Sequence, residues 1–121
     1  MKNISVTIYT KEHGRLDLTY EEYLTFDFDK VTRHRTDSPA SIWYYQDGSI
    51  EREYYFINDK MHRIDGPAES WYDKDGSIER EYYYINNKFY NKEDYDNLIN
   101  EMKSLPKSLK LTHQEQWVRE L

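Results

Sequence analysis

The chain reads as a mainly β protein with α elements: an antiparallel β-hairpin repeat meander of two 28-residue units. An N-terminal strand and short-helix cap and a C-terminal helical cap flank the units. Three observations lead there. Residues 34–61 and 62–89 align without a gap and share nineteen identical positions. Each segment holds two β-rich runs separated by Asp-Gly, a short-range hairpin signal because Gly accepts positive φ cheaply. Seventeen per cent of the 121 residues are aromatic, thirteen of them Tyr, so burial of rings can offset a shortage of aliphatics.

Taken in order, Ile4, Val6 and Ile8 alternate and predict an N-terminal strand. Thr19-Tyr20-Glu21-Glu22 has capping-box spacing, which places a short helix over Thr19–Leu24. Phe26 and Phe28 alternate with Asp27 and Asp29 and read as a strand leading into the repeats. Residues 1–33 are therefore an N-terminal cap or a degenerate first unit.

Within the units, the first strand lies near Ala40–Tyr45, with its counterpart one repeat later. Pro39 and Pro67 precede them, where a missing N–H does least harm. The second strands lie at Ile50–Ile57 and Ile78–Ile85, and Asn58-Asp59 and Asn86-Asn87 supply left-handed turns beyond them. Strict alternation puts Ile50, Arg52, Tyr54 and Phe56 on one face and Glu51, Glu53, Tyr55 and Ile57 on the other. A two-residue Asp-Gly loop pairs Trp43 with Arg52; a three-residue loop with a bulge pairs it with Glu51. Both registers remain open from sequence.

Residues 90–121 read as a C-terminal helical cap, with Lys107–Leu111 as a linker or short strand inside it. Asn91 is an N-cap with Glu93 and Asp94 in the first turn, and Tyr95, Leu98, Ile99, Met102 and Leu105 follow helical spacing. Pro106 stops that helix. Thr112 and Glu115 mark a second capping box before Trp117, Val118 and Leu121.

Composition narrows the function classes. A net charge of -6 argues against general binding to nucleic-acid backbone or anionic lipid. The chain has no Cys, which removes disulfides and thiolate metal sites. Its first residues hold no apolar signal-type stretch, so the expected location is cytoplasmic.

Chemistry is sparse. His13, His34, His62 and His113 show no zinc-like spacing. His34 and His62 hold the same repeat position, and turn chemistry, with Asp37 and Asp65 capping backbone amides, explains that better than catalysis. Phosphate loops, nucleophile elbows and dinucleotide fingerprints are missing. No catalytic residue, metal ligand or cofactor is expected. The carboxylate pairs Asp27/Asp29, Glu51/Glu53 and Glu79/Glu81 read as solvated edge charge that discourages sheet aggregation.

Candidate binding residues are Trp43, Arg52, Tyr54, Trp71, Arg80 and Tyr82, flanked by Glu51, Glu53, Glu79 and Glu81. Equivalent strands of successive hairpins place Trp43/Trp71, Arg52/Arg80 and Tyr54/Tyr82 in rows, and such residues dominate binding hot spots. Packing of unit on unit is the stronger explanation of repeated positions.

The pattern HRxDGPA, a strand, DGS, a Tyr-rich strand and an NGK-like turn resembles the variant MORN repeat. His62–Ala68 matches its opening fully; His34–Ala40 departs at Ser38, and Asp59 and Asn87 replace the Gly of NGK. The resemblance covers residues 34–89. It implies a hairpin array acting as an interaction surface, as in small proteins of phages and large DNA viruses and in antitoxin-like immunity proteins. The functional expectation is a non-enzymatic protein–protein interaction module, a phage-encoded inhibitor of a host protein or an antitoxin-like protein. Its partner would present a basic or aromatic-accepting surface, and for a viral source the location would be the host cytoplasm. The alternatives are a nucleotide- or glycan-binding protein and a self-assembling structural protein, a homo-oligomer included.

Overall fold

A computed structural model describes residues 3–105 of the chain. The strands are β1 (Val6–Thr10), β2 (Gly14–Leu18), β3 (Ser41–Tyr44), β4 (Ile50–Tyr54), β5 (Phe56–Ile57), β6 (Lys60–Met61), β7 (Glu69–Tyr72), β8 (Ile78–Ile85) and β9 (Lys88–Tyr90). Two α-helices, α1 (Tyr20–Leu24) and α2 (Lys92–Ser104), and a 3-10 turn at Phe28–Lys30 complete the elements of the described residues. Seven strands form one antiparallel sheet in the order β2-β1-β3-β4-β7-β8-β9, and β5-β6 is a separate hairpin.

Turn chemistry sets the registers. Tyr45 N–H donates to Ser49 O and Gly48 N–H to Tyr45 O, which closes a three-residue loop with Gly48 at φ +89°. That loop pairs Tyr44 with Ile50. A β-bulge at Glu51 then restores Trp43 to Arg52. The three-residue loop and the Trp43–Arg52 pair, expected as alternatives, thus occur together. The second hairpin repeats this, pairing Tyr72 with Ile78 and Trp71 with Arg80. The bulge also corrects the expected alternation, because Ile50 and Arg52 no longer share a simple period of two.

Asn58-Asp59 and Asn86-Asn87 all have positive φ, between 51° and 69°. Two left-handed residues make a type I′ turn, whose twist matches the flanking strands. These turns join β5 to β6 and β8 to β9.

The N-terminal region differs from expectation in two places. Gly14–Leu18, to which the sequence reading gave no element, pairs with β1 along its whole length. The Phe26/Phe28 segment is a 3-10 turn instead of a strand, with Asp27 accepting from Asp29 N–H. Rings two residues apart still meet, with Phe26 and Phe28 centroids 4.9 Å apart.

The two helices expected within the described residues form. Thr19 caps α1 with both halves of the capping box present. Asn91 Oδ1 accepts from Asp94 N–H at 2.8 Å at the start of α2. The expected elements beyond Leu105 lie outside the described residues.

Two hydrophobic clusters sit on opposite faces of the sheet. Val6, Ile8 and Leu18 are buried beneath Tyr23, Phe26 and Phe28 on one face. Ile85 and Tyr95 form the second, with Leu98, Ile99 and Met102 of α2 over Tyr83 and Tyr90. The remainder of the first face, from Trp43 to Tyr82, stays part-exposed.

Because α1 holds Tyr23 against Trp43, its cap should matter to the whole sheet end. Thr19→Ala removes the acceptor for Glu22 N–H and is expected to cost about 1 kcal/mol. Urea unfolding of parent and variant measures it, and an unchanged midpoint contradicts the assignment.

Candidate functional site

The cross-strand registers run as one line through the sheet. Val6 lies opposite Trp43, Trp43 opposite Arg52, Arg52 opposite Trp71, and Trp71 opposite Arg80. The expected Trp and Arg rows are therefore one interleaved row. Arg52 Cζ stands 4.6 Å from the Trp43 ring centroid and 4.1 Å from that of Trp71. A guanidinium between two indole faces gains cation–π attraction on both sides, worth about 0.5–2 kcal/mol per contact. Arg80 has Trp71 at 5.6 Å.

Arg52 is also held at its edges. Its Nε donates to Glu51 at 3.0 Å, and Nη1 reaches the Tyr54 hydroxyl at 3.5 Å. The bulge makes the Glu51 contact geometrically natural, since it brings neighbouring side chains to one side. Arg80 repeats the pairing with Glu79 at 3.4 Å, although both side chains are about half exposed. Exposed pairs of this kind add little stability.

The next row holds Tyr54 and Tyr82 on either side of Glu69. Glu69 accepts from the Trp71 indole N–H, which fixes that ring's orientation. Burial pushes the Tyr54 phenol upward.

The acidic candidates separate. Glu51 and Glu79 serve their neighbouring arginines, whereas Glu53 lies opposite Ser70 and accepts from Tyr72 Oη at 2.6 Å. Burial first, and then the bond to and charge of Glu53, push the Tyr72 phenol up to about 12. Glu81, the counterpart of Glu53, is exposed. The carboxylate pairs thus do not converge on common sites. Among the described residues no group of three or more His, Asp or Glu is placed to hold a metal ion, and no helix is long and apolar enough to cross a membrane.

Four residues that sequence reasoning missed join the row. A cavity of about 330 Å³ is lined by Tyr23, Arg33, Ser41, Trp43, Arg52, Tyr54 and Phe56. Tyr23 meets Trp43 edge-on with centroids 4.6 Å apart. Arg33 stacks over Phe56 at 4.2 Å and bonds Asp59 at 3.1 Å. Tyr23 and Arg33 lie outside the duplicated segments, so no periodicity pointed to them.

The duplicated His-Arg pairs do structural chemistry. Nδ1 of His34 accepts from Asn58 N–H at 3.1 Å, and Nδ1 of His62 from Asn86 N–H at 2.9 Å. Each ring therefore holds a type I′ turn. Arg35 stacks over Tyr9 and Arg63 over Tyr55, while each donates to the carbonyl of Pro39 or Pro67. The expected amide capping by Asp65 is replaced by a contact with Arg63 Nε at 3.1 Å.

No known family model, curated protein or solved structure matches this chain.

His62 is fully buried, and burial lowers its pKa from 6.5 to about 4. In the unfolded chain the imidazole takes up its proton near pH 6.5; in the fold it resists until about pH 4. Its contribution is therefore complete above about pH 6.5 and is lost as pH falls toward 4, by about 3 kcal/mol. Urea unfolding across this range should show a steeper loss for the parent than for His62→Gln. Identical pH profiles contradict the assignment.

Proposed function

We propose that this chain is a non-enzymatic protein-binding module. It is built on two hairpin units of the variant MORN type, between an N-terminal strand-and-helix cap and a C-terminal helical cap. The Trp43–Arg52–Trp71–Arg80 row carries this reading. It presents indole and guanidinium groups on a sheet face covered by α1 at one end and, among the described residues, open at the other. Such groups supply much of the energy of protein interfaces. Arg52 already fills the space between the two indoles, which disfavours a base stacked between them. Exposed Glu79, bonded to Arg80 in the row, suits a basic rim on the partner. The resemblance to phage and antitoxin-like proteins favours a host or cognate protein as that partner.

A second reading rests on the cavity beside Tyr23, Arg33 and Tyr54, whose 330 Å³ falls within the range that holds small ligands. A nucleotide or glycan there would stack on a ring and bond a guanidinium.

The test is affinity capture by the tagged full chain, followed by titration of the captured protein in purified form. Parent and Tyr54→Ala/Tyr82→Ala proteins run side by side, with folding checked by circular dichroism. The proposal expects a partner whose affinity falls roughly tenfold or more in the variant, about 1.4 kcal/mol. Equal affinities refute this face as the binding surface. A nucleotide and glycan panel raising the melting temperature, with no protein captured, favours the second reading.

A further inference from the structure

β1, β4 and β8 hold corresponding places in the sheet, and Val6, Arg52 and Arg80 hold one register position on them. The edge of β1 that faces the next hairpin is covered by β3, which puts Trp43 opposite Val6. The edge of β4 is covered by β7, which puts Trp71 opposite Arg52. β8 breaks the series. Among the described residues, β9 pairs with Tyr83–Ile85 and no strand pairs with the outer edge of Ile78–Tyr82.

The local geometry suits strand addition. Ala68 N–H donates to Tyr82 O, so Tyr82 faces inward and alternation directs the Glu81 amide and carbonyl to the open side. Ile78 is 58% exposed, and Glu79, Arg80 and Glu81 are exposed. Outward peptide groups on an accessible edge are a template for an added strand. Among the described residues Arg80 has one indole beside it where Arg52 has two.

We propose that Ile78–Tyr82 is a strand-addition site for an extended segment of a partner protein that brings a tryptophan opposite Arg80. This rests on the protein-binding reading and specifies how the partner engages. The chain itself supplies the precedent, since both covered edges receive Trp followed by Tyr, at Trp43-Tyr44 and Trp71-Tyr72. The second of these tyrosines bonds Glu53, so a Tyr after the partner's Trp can reach Glu81. Charge disfavours a second copy of β8 as occupant. Antiparallel self-pairing that preserves the faces opposes Arg80 to Arg80, Glu79 to Glu79 or Glu81 to Glu81, and like charges directly opposite destabilise a pair. β2, the other outer strand, offers Leu16 and Leu18 but no aromatic ring.

The probe is a synthetic peptide with the sequence of residues 67–73, titrated into the isotope-labelled full chain. Amide exchange at Glu79 and Glu81 is read by nuclear magnetic resonance. Saturable binding with Kd on the order of 1 mM or tighter is expected, with exchange at Glu81 slowed about tenfold. Replacing the peptide's Trp by Ser, or Arg80→Ser in the protein, weakens binding about tenfold. Unchanged exchange at Glu81 under excess peptide overturns the proposal. So does peptide binding that perturbs β4 alone. Slow Glu81 exchange without peptide, relieved by Trp117→Ser or by dilution, assigns the edge to the chain's own C-terminal segment or to a second copy, and also overturns it. The titration needs no captured partner and leaves Tyr54 intact, so it can fail independently of the binding-face test.

Discussion

The guanidinium of Arg52 between the indoles of Trp43 and Trp71 is the contact on which the middle of the sheet depends. Trp43 and Arg52 belong to the first duplicated segment and Trp71 to the second. The pairing of β4 with β7 joins those segments, and the row runs through that pairing. The bulge at Glu51 is what brings Arg52 into register with Trp43. Without it a carboxylate would oppose Trp43 and the alternation of ring and cation would fail. One extra residue in each hairpin thus selects the composition of the exposed face.

Cover on that face is unequal. The 3-10 turn and α1 lay Tyr23, Phe26 and Phe28 over Val6, Ile8 and Leu18. α2 packs against the opposite face, on Tyr83, Ile85 and Tyr90. The stretch of the first face between these ends is left to Trp, Arg and Tyr, residues whose large faces pack together while their polar ends stay wet. A sheet built this way folds without many aliphatics and keeps chemically expressive groups at its surface. The proposed binding role is argued from that arrangement, and the edge of β8 that no described strand covers is its geometric extension.

Much of this was legible in local chemistry. Asp-Gly, Asn-Asp and Asn-Asn marked turns because few residues tolerate positive φ, and Thr19 and Asn91 marked helix starts because their side chains satisfy amides. The same residues that sequence singled out, Trp43, Arg52, Trp71 and Arg80, form the central row. Other features depended on tertiary context. The bulge is invisible in a run such as Ser49–Tyr54, since the chain's alternation looks regular until it is paired. β2 is short and follows a turn in which Gly14 is the sole strong signal. Phe26 and Phe28 mimic strand periodicity, yet their rings meet equally well across a 3-10 turn. Tyr23 and Arg33 reach the row through a long connection outside the repeated segments, so neither periodicity nor motif announced them.

Arg52 and Trp71 couple across the β4–β7 boundary through their cation–π contact. A double-mutant cycle with Arg52→Gln and Trp71→Leu, read by urea unfolding of the full chain, isolates that coupling from each residue's separate packing. A favourable interaction energy of about 1 kcal/mol between them is expected. Additive losses, with no coupling beyond measurement error, would contradict it.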